Sequence, residues 1–134
     1  MEDDGNRVFI LVVDDEPDLE LLIRQRFRRK IRDGLYEFSF AANGKEALDI
    51  VDSGAKIDVI LSDINMPVMD GFDATIGIKK IADTPVIALT AAAKLEIMER
   101  IDACGFDGFV AKPIDAAELL KKIREVIALK NHKA

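Results

Sequence analysis

The chain has 134 residues, with 19 Lys and Arg against 25 Asp and Glu, one His, one Cys and no Trp. One cysteine excludes a disulfide framework and any multi-cysteine zinc site. The single histidine, His132, stands near the end and all but excludes histidine-dependent catalysis. A formal charge of −6 argues against non-specific binding to nucleic acid or to an anionic membrane. Chemistry in this chain falls to carboxylates, a hydroxyl or a lysine.

The length fits one domain, and a 49% apolar share is enough to bury a core. The acidic start Met1-Glu2-Asp3-Asp4-Gly5-Asn6 is the opposite of a signal peptide. The apolar runs over 8–13 and 59–61 fall far short of a membrane span. The expectation is a cytoplasmic protein with a flexible acidic N-terminus over 1–6, a domain over 7–130 and a tail over 131–134.

The run over 8–13 is almost wholly apolar, as a strand covered on both faces should be. A helix over 18–32 follows, with Leu19, Ile23, Phe27 and Ile31 at steps of four, and Asp33-Gly34 ends it. Residues 36–40 alternate as a second strand. Asn43-Gly44 opens a helix over 45–52 that turns Ala47, Leu48 and Val51 inward.

A third strand is predicted over 57–61, followed by a loop over 63–71. The helix over 72–82 contains Gly77, which costs it about 1 kcal/mol relative to Ala. A fourth strand over 85–89 begins with proline, where the missing N–H does least harm. A helix over 91–103, a short strand over 108–111 and a last helix opened by Asp115 and Glu118 complete the chain. Five strand–helix units with buried strands predict an α/β three-layer sandwich around a parallel sheet.

Ligands of open parallel sheets bind beyond the carboxyl ends of the strands. There the sequence carries Asp14, Asp15 and Glu16, then Asp63, Thr90 and Lys112. Taken singly, each has a plain structural reading: a helix cap, a chain turn, a strand end, a solvated charge. Together they suit one mechanism. Carboxylates gathered at one edge repel unless a cation relieves them, and Mg²⁺ takes a few carboxylate oxygens while keeping water. One carboxylate could then attack a phosphoryl group, with the metal and Lys112 neutralising charge and Thr90 bonding a phosphoryl oxygen.

Four segments carry a resemblance: Val12-Val13-Asp14-Asp15-Glu16-Pro17, the run from Leu61-Ser62-Asp63 through Asn65-Met66-Pro67 to Met69-Asp70-Gly71, Leu89-Thr90-Ala91, and Val110-Ala111-Lys112-Pro113. In order and spacing they resemble the signature blocks of response-regulator receiver domains, over about residues 7–129. The resemblance implies a flavodoxin-like (βα)5 fold with strand order 2-1-3-4-5. It implies that Asp63 is phosphorylated and that Asp15, Asp63 and the backbone carbonyl of Asn65 ligate Mg²⁺ or Mn²⁺, with Asp14 acting partly through water. Lys112 would bond the phosphoryl group, Thr90 would be the switch hydroxyl and Phe109 the rotating aromatic, with a cis bond at Lys112-Pro113. Asn65 and Ala92 would tune the lifetime of the phosphorylated state.

The same resemblance implies phosphotransfer from a phosphohistidine of a histidine kinase or phosphotransfer protein. The switched surface would be the fourth helix, fifth strand and fifth helix, read by a downstream effector or output domain or by a phosphorylation-dependent homodimer. No direct contact with nucleic acid or membrane is implied, and no activity as an enzyme beyond the domain's own phosphorylation and autodephosphorylation. The chain ends soon after the last predicted helix, as a stand-alone domain or one excised from a longer regulator or hybrid kinase would. The rival is a receiver-like interaction module that works without phosphorylation. A haloacid-dehalogenase-type phosphatase needs a second Asp where Asn65 stands. A calcium loop from Asp14 fails at Leu19 and Gln25, and a flavin phosphate would be repelled by Asp14-Asp15-Glu16.

Two features stay open at this level. Arg24, Arg26, Arg28, Arg29, Lys30 and Arg32 place six positive charges in nine residues, leaving the remainder of the chain at −12. They form either a solvated face or, by the family's habit of docking partners beside the first helix, a steering surface for an acidic kinase. Leu95, Ile97 and Met98 make the fourth predicted helix unusually apolar, either well covered or a surface for output or dimerisation.

Overall fold

The computed structural model describes residues 7–64, 71–91 and 95–132. Five parallel strands, β1 (Val8–Val13), β2 (Tyr36–Ala41), β3 (Val59–Asp63), β4 (Val86–Thr90) and β5 (Gly108–Ala111), form one sheet in the order β2-β1-β3-β4-β5. Between and after them run α1 (Pro17–Arg26), α2 (Arg28–Arg32), α3 (Gly44–Asp52), α4 (Gly71–Ile81), α5 (Leu95–Ala103) and α6 (Ala116–His132). This is the flavodoxin-like (βα)5 arrangement, with the expected strand order.

The strands alternate their side chains between two cores. Ile10, Val12, Leu61, Ile87 and Leu89 meet Leu19 and Ile23 of α1 and Leu119 and Ile123 of α6. Leu11, Val13, Ile60, Val86 and Ala88 face Ala47, Ile78 and Ile101 from α3, α4 and α5. Because β1, β3 and β4 are covered on both faces, their residues are apolar almost without interruption. The rigid, twice-covered centre fixes what stands at the strand ends.

The first helix is not continuous over 18–32. Phe27 leaves helical geometry (φ −106°, ψ 19°) and separates α1 from α2, although its N–H still donates to Ile23 O (2.9 Å). Its ring is committed elsewhere, packing on Tyr36 and Phe38 of β2 at centroid distances of 6.2 and 5.6 Å. The four-residue stripe persists through the break. Two strands are also displaced toward their carboxyl ends relative to expectation. Residues 57 and 58 lie outside β3 because Asp58 serves as a clamp: its N–H donates to Phe9 O (2.7 Å) and its carboxylate accepts from Phe9 N–H (2.8 Å). The shift makes Asp63 and Thr90 the last residues of their strands.

The helix expected from residue 91 is α5, beginning at Leu95; residues 92–94 lie outside the described ones. Ile97 and Met98 are half-buried and pack on the second core. Asn43 caps α3, its Oδ1 accepting from Glu46 N–H (2.9 Å), while Glu46 reaches back to Ala42 N–H (2.8 Å). Gly77 permits a close approach of α3 and α4, since a Cβ there would lie 3.3 Å from both methyls of Leu48. A side chain there would require Leu48 to give way by a few tenths of an ångström. At the opposite pole from the strand ends, Lys79 pairs with Asp107 (2.7 Å) and donates to Thr84 O (3.0 Å). The same carboxylate accepts from Val86 N–H (2.9 Å), tying α4 to the start of β4 and β5.

Candidate functional site

Three strand ends and one following turn converge at the carboxyl edge. Asp14 stands directly after β1, where its N–H donates to Ala41 O (3.1 Å) and its Oδ1 accepts from Glu16 N–H (2.7 Å). Asp63 ends β3, and Ser62 Oγ, itself buried, donates to the Asp63 carbonyl (3.0 Å). Thr90 ends β4 at 2% exposure. Its carbonyl accepts from Lys112 N–H (2.8 Å), so the residue after β5 is held beside it by the sheet ladder itself. The Lys112–Pro113 bond is cis, as expected.

The carboxylates of Asp14, Asp15 and Asp63 each offer an oxygen within 4.8 Å of the other two. Lys112 Nζ lies 3.4 Å from Asp14 Oδ2 and 3.5 Å from Asp63 Oδ2. The Asp14 and Asp63 side chains are only 3% and 8% exposed, whereas Asp15 is open to solvent. Burial pushes the Asp14 carboxyl above its ordinary value; the Glu16 N–H and Lys112 pull it down, and Asp63 adds to the rise. Burial also works against the charged form of Lys112, but the two carboxylates outweigh it and hold its pKa above 10.5. The ammonium therefore stays charged while the acids remain under-neutralised. That is a donor set of hard oxygens with excess negative charge, the chemistry that fits Mg²⁺ or Mn²⁺.

Residues Asn65 and Ala92 lie outside the described ones. Phe109 is half-buried on the second core, opposite Ala88 in the ladder. Strand alternation puts Thr90 on that same sheet face. Beside the acids, a cavity of about 270 Å³ is walled by Asp14, Asp15, Glu16, Phe40 and Glu46. Sequence reasoning did not place Phe40 or Glu46 there. The readable signal was Asn43 followed by Glu46, whose reciprocal capping bonds fix the turn after β2 against the site. The orienting role of the Glu16 N–H had no sequence signal beyond its position two residues after Asp14.

Arg24 donates to Glu20 (3.0 Å) and lies 4.8 Å over the Phe40 ring, close to this edge. Lys30 is 5.6 Å from the Tyr36 ring at the start of β2, at the other end of the sheet. The basic run thus extends along β2 from Phe40 to Tyr36, with Arg24 and Arg32 lining one recess between those ends.

Residues 10–124 match the family model of the response regulator receiver domain. The chain is 35% identical over 127 residues to the sensor histidine kinase RcsC of Salmonella typhimurium, covering 94% of this chain and 13% of that protein. It thus spans a small fraction of those kinases. It is 35% identical to the chemotaxis protein CheY4 of Vibrio cholerae, with TM-score 0.73 over 90% of this chain and 98% of that one. A receiver domain of a Pseudomonas aeruginosa sensor histidine kinase, whose structure has a magnesium ion coordinated in the active site cleft, shares 30% identity. Its TM-score is 0.80, covering 91% of this chain and 98% of that one. No helix among the described residues is long and apolar enough to cross a membrane. With its two-sided parallel sheet and the acidic triad and lysine at the strand ends, the chain belongs to the response regulator receiver domain family.

Proposed function

We propose that Asp63 is the phosphoacceptor and that a phosphohistidine on a histidine kinase or phosphotransfer protein is the donor. The observation that carries this is Lys112 Nζ lying between Asp14 and Asp63, within 3.5 Å of both, beside three carboxylates within 4.8 Å of one another. An Asp63 carboxylate oxygen attacks phosphorus, the P–N bond to imidazole breaks, and the departing imidazole takes the electron pair. The product is an acyl phosphate on Asp63.

Asp15, Asp63 and the Asn65 carbonyl would hold Mg²⁺, with Asp14 acting partly through water, and the ion would supply charge neutralisation for the transferring group. Lys112, already positioned by the two carboxylates, exchanges one of them for a phosphoryl oxygen. Thr90 donates its hydroxyl to another, and Phe109 packs inward on the same sheet face, altering the surface of α5, β5 and α6. A downstream effector, an output domain or a second copy reads that surface. Water attacking in line at phosphorus regenerates Asp63, with Asn65 and the small Ala92 tuning its access. The domain catalyses only its own phosphorylation and dephosphorylation.

The test is incubation with Mg²⁺ and acetyl phosphate or beryllofluoride, comparing the chain with Asp63→Asn. One phosphoryl group per chain by intact mass, absent from Asp63→Asn and from metal-free samples, is the expected result. No Asp63-dependent modification or spectral change would leave the phosphorylation-independent interaction module as the better reading.

A further inference from the structure

The pole opposite the acidic edge carries a second recess, of about 400 Å³, that the phosphoacceptor chemistry does not use. Val8, Leu35, Ile127 and Ala128 supply aliphatic walls, and Tyr36 lies between them. Two cations, Lys30 and Arg124, line it, and among the described residues no carboxylate does. Arg124 hydrogen-bonds the Tyr36 phenol, whose pKa burial raises. Leu35 and Leu129 stand at its rim and on the adjoining helix with 43% and 61% exposure. Arg28 and Arg29, on the helix that carries Lys30, are exposed and form no ion pair among the described residues.

The recess sits at the start of the strands. Val8 N–H donates to Leu35 O (2.8 Å) and Leu35 N–H to Lys30 O (2.9 Å), which fixes α2, β1 and β2 together there. Asp63 and Lys112 lie past the other end of the same sheet. A chain with net charge −6 has therefore set Lys30 and Arg124 around apolar surface with no carboxylate among the lining residues, while the nearby Asp33, Glu37 and Glu125 pair with Arg32, Arg7 and Lys122. A flat headgroup plane would reach Arg28 and Arg29 but leave the aliphatic walls unfilled. An apolar side chain flanked by carboxylates satisfies walls and cations together.

We propose that this recess docks an acidic amphipathic segment of a partner protein, with an apolar residue against Val8, Leu35 and Ile127 and carboxylates on Lys30 and Arg124. Docking there leaves the phosphoacceptor edge open, so a partner could hold the domain while a kinase works on it. The inference stands independently of the phosphotransfer chemistry.

The probe is a short synthetic peptide with leucines three and four positions apart among glutamates, titrated into the isotope-labelled full chain and followed by NMR. The expected result is saturable shifts centred on Val8, Lys30, Leu35, Tyr36 and Ile127, weakened by salt and absent with lysines in place of the glutamates. Lys30→Glu and Arg124→Gln should each weaken binding roughly tenfold, the loss of one interfacial charge pair. Both variants should keep their melting temperature within a few degrees and accept phosphate from acetyl phosphate at the unaltered rate. Arg124→Gln retains a donor for Tyr36 and guards against misfolding of the reversal variant. Four outcomes would each overturn the proposal: no saturable binding, shifts centred on α5 or the acidic edge, equal binding by the lysine peptide, or recruitment to phosphatidylserine vesicles in place of the peptide. A fifth is a variant lacking residues 2–6 that shifts the same resonances without peptide, because the chain's own acidic start would then be the occupant.

Discussion

Replacing Asp14 by asparagine should stabilise the metal-free protein. For carboxylate oxygens within 4.8 Å of one another, an effective dielectric constant of about 20 makes the repulsion of a charged pair at least about 3 kcal/mol. The Lys112 pair at 3.4 Å returns about 5 kcal/mol. Ionised Asp14 is opposed first by its burial and then by Asp63, while the Glu16 N–H and Lys112 offset part of that, leaving a net cost on the order of 1 kcal/mol. The sign agrees with the Asp14 carboxyl lying above its ordinary value: the folded state binds its proton more tightly than the unfolded state does. Asparagine keeps the acceptor for Glu16 N–H and removes the charge. A gain of about 1 kcal/mol in this size of domain raises Tm by about 3–5 °C. Thermal unfolding followed by circular dichroism in EDTA, and again in Mg²⁺, measures both halves of the argument. The wild-type Tm should climb with Mg²⁺ concentration, about 1.4 kcal/mol for each tenfold beyond saturation, while the climb for Asp14→Asn is smaller. A lower Tm for the variant in EDTA would refute the charge reasoning, and an undiminished Mg²⁺ response would remove Asp14 from the metal site.

Mg²⁺ affinity should fall as pH drops into the raised Asp14 range, above 3.8, because the proton and the metal compete for one carboxylate; titrating Mg²⁺ at several pH values from neutral to acid reads this directly. Asp107→Ala takes the acceptor from Val86 N–H and leaves the Lys79 ammonium only Thr84 O, and should cost about 1–3 kcal/mol by urea unfolding, whereas Asp107→Asn should cost less because it retains an acceptor. Charge reversal at Arg24, near the acidic edge, should slow transfer from a phosphorylated kinase without slowing acetyl phosphate. Reversal at Arg28, on the helix of the opposite pole, should change neither rate, and equal slowing by the two variants would show that proximity to the edge is not what matters.

The topology was legible because its signals are local: the apolar runs of β1, β3 and β4, the glycines that end helices, and the reactive residue types at strand ends. The site was legible for the same reason, since a parallel sheet brings Asp14, Asp63, Thr90 and Lys112 to one edge whatever lies between. The misread parts depend on partners far away in sequence. Nothing near Phe27 announces a break, and its contacts with Tyr36 and Phe38 lie nine and eleven residues on in the chain. Asp58 reads as a strand residue until its two bonds to Phe9 are seen. Gly77 looks like a weakness of α4, and only the facing Leu48 turns it into a fit.

Charge shows most clearly how the fold redistributes what the sequence strings together. The six cations between Arg24 and Arg32 fall within nine residues of the chain, yet α1 and α2 run from the acidic edge toward the start of β2 and carry Lys30 to the far end of the sheet. A six-residue strand separates the two poles by about 20 Å, more than twice the screening length of about 8 Å at physiological ionic strength. The basic pole therefore does almost nothing to neutralise the acids at Asp63. Arg24, which reaches toward that edge, is already engaged by Glu20 and the Phe40 ring. The phosphoacceptor edge thus responds to its own balance, three carboxylates against one ammonium, and not to the chain's total. That local deficit is what makes a divalent cation the natural complement of the site, and it leaves the remaining positive charge free to serve a different partner at the other end.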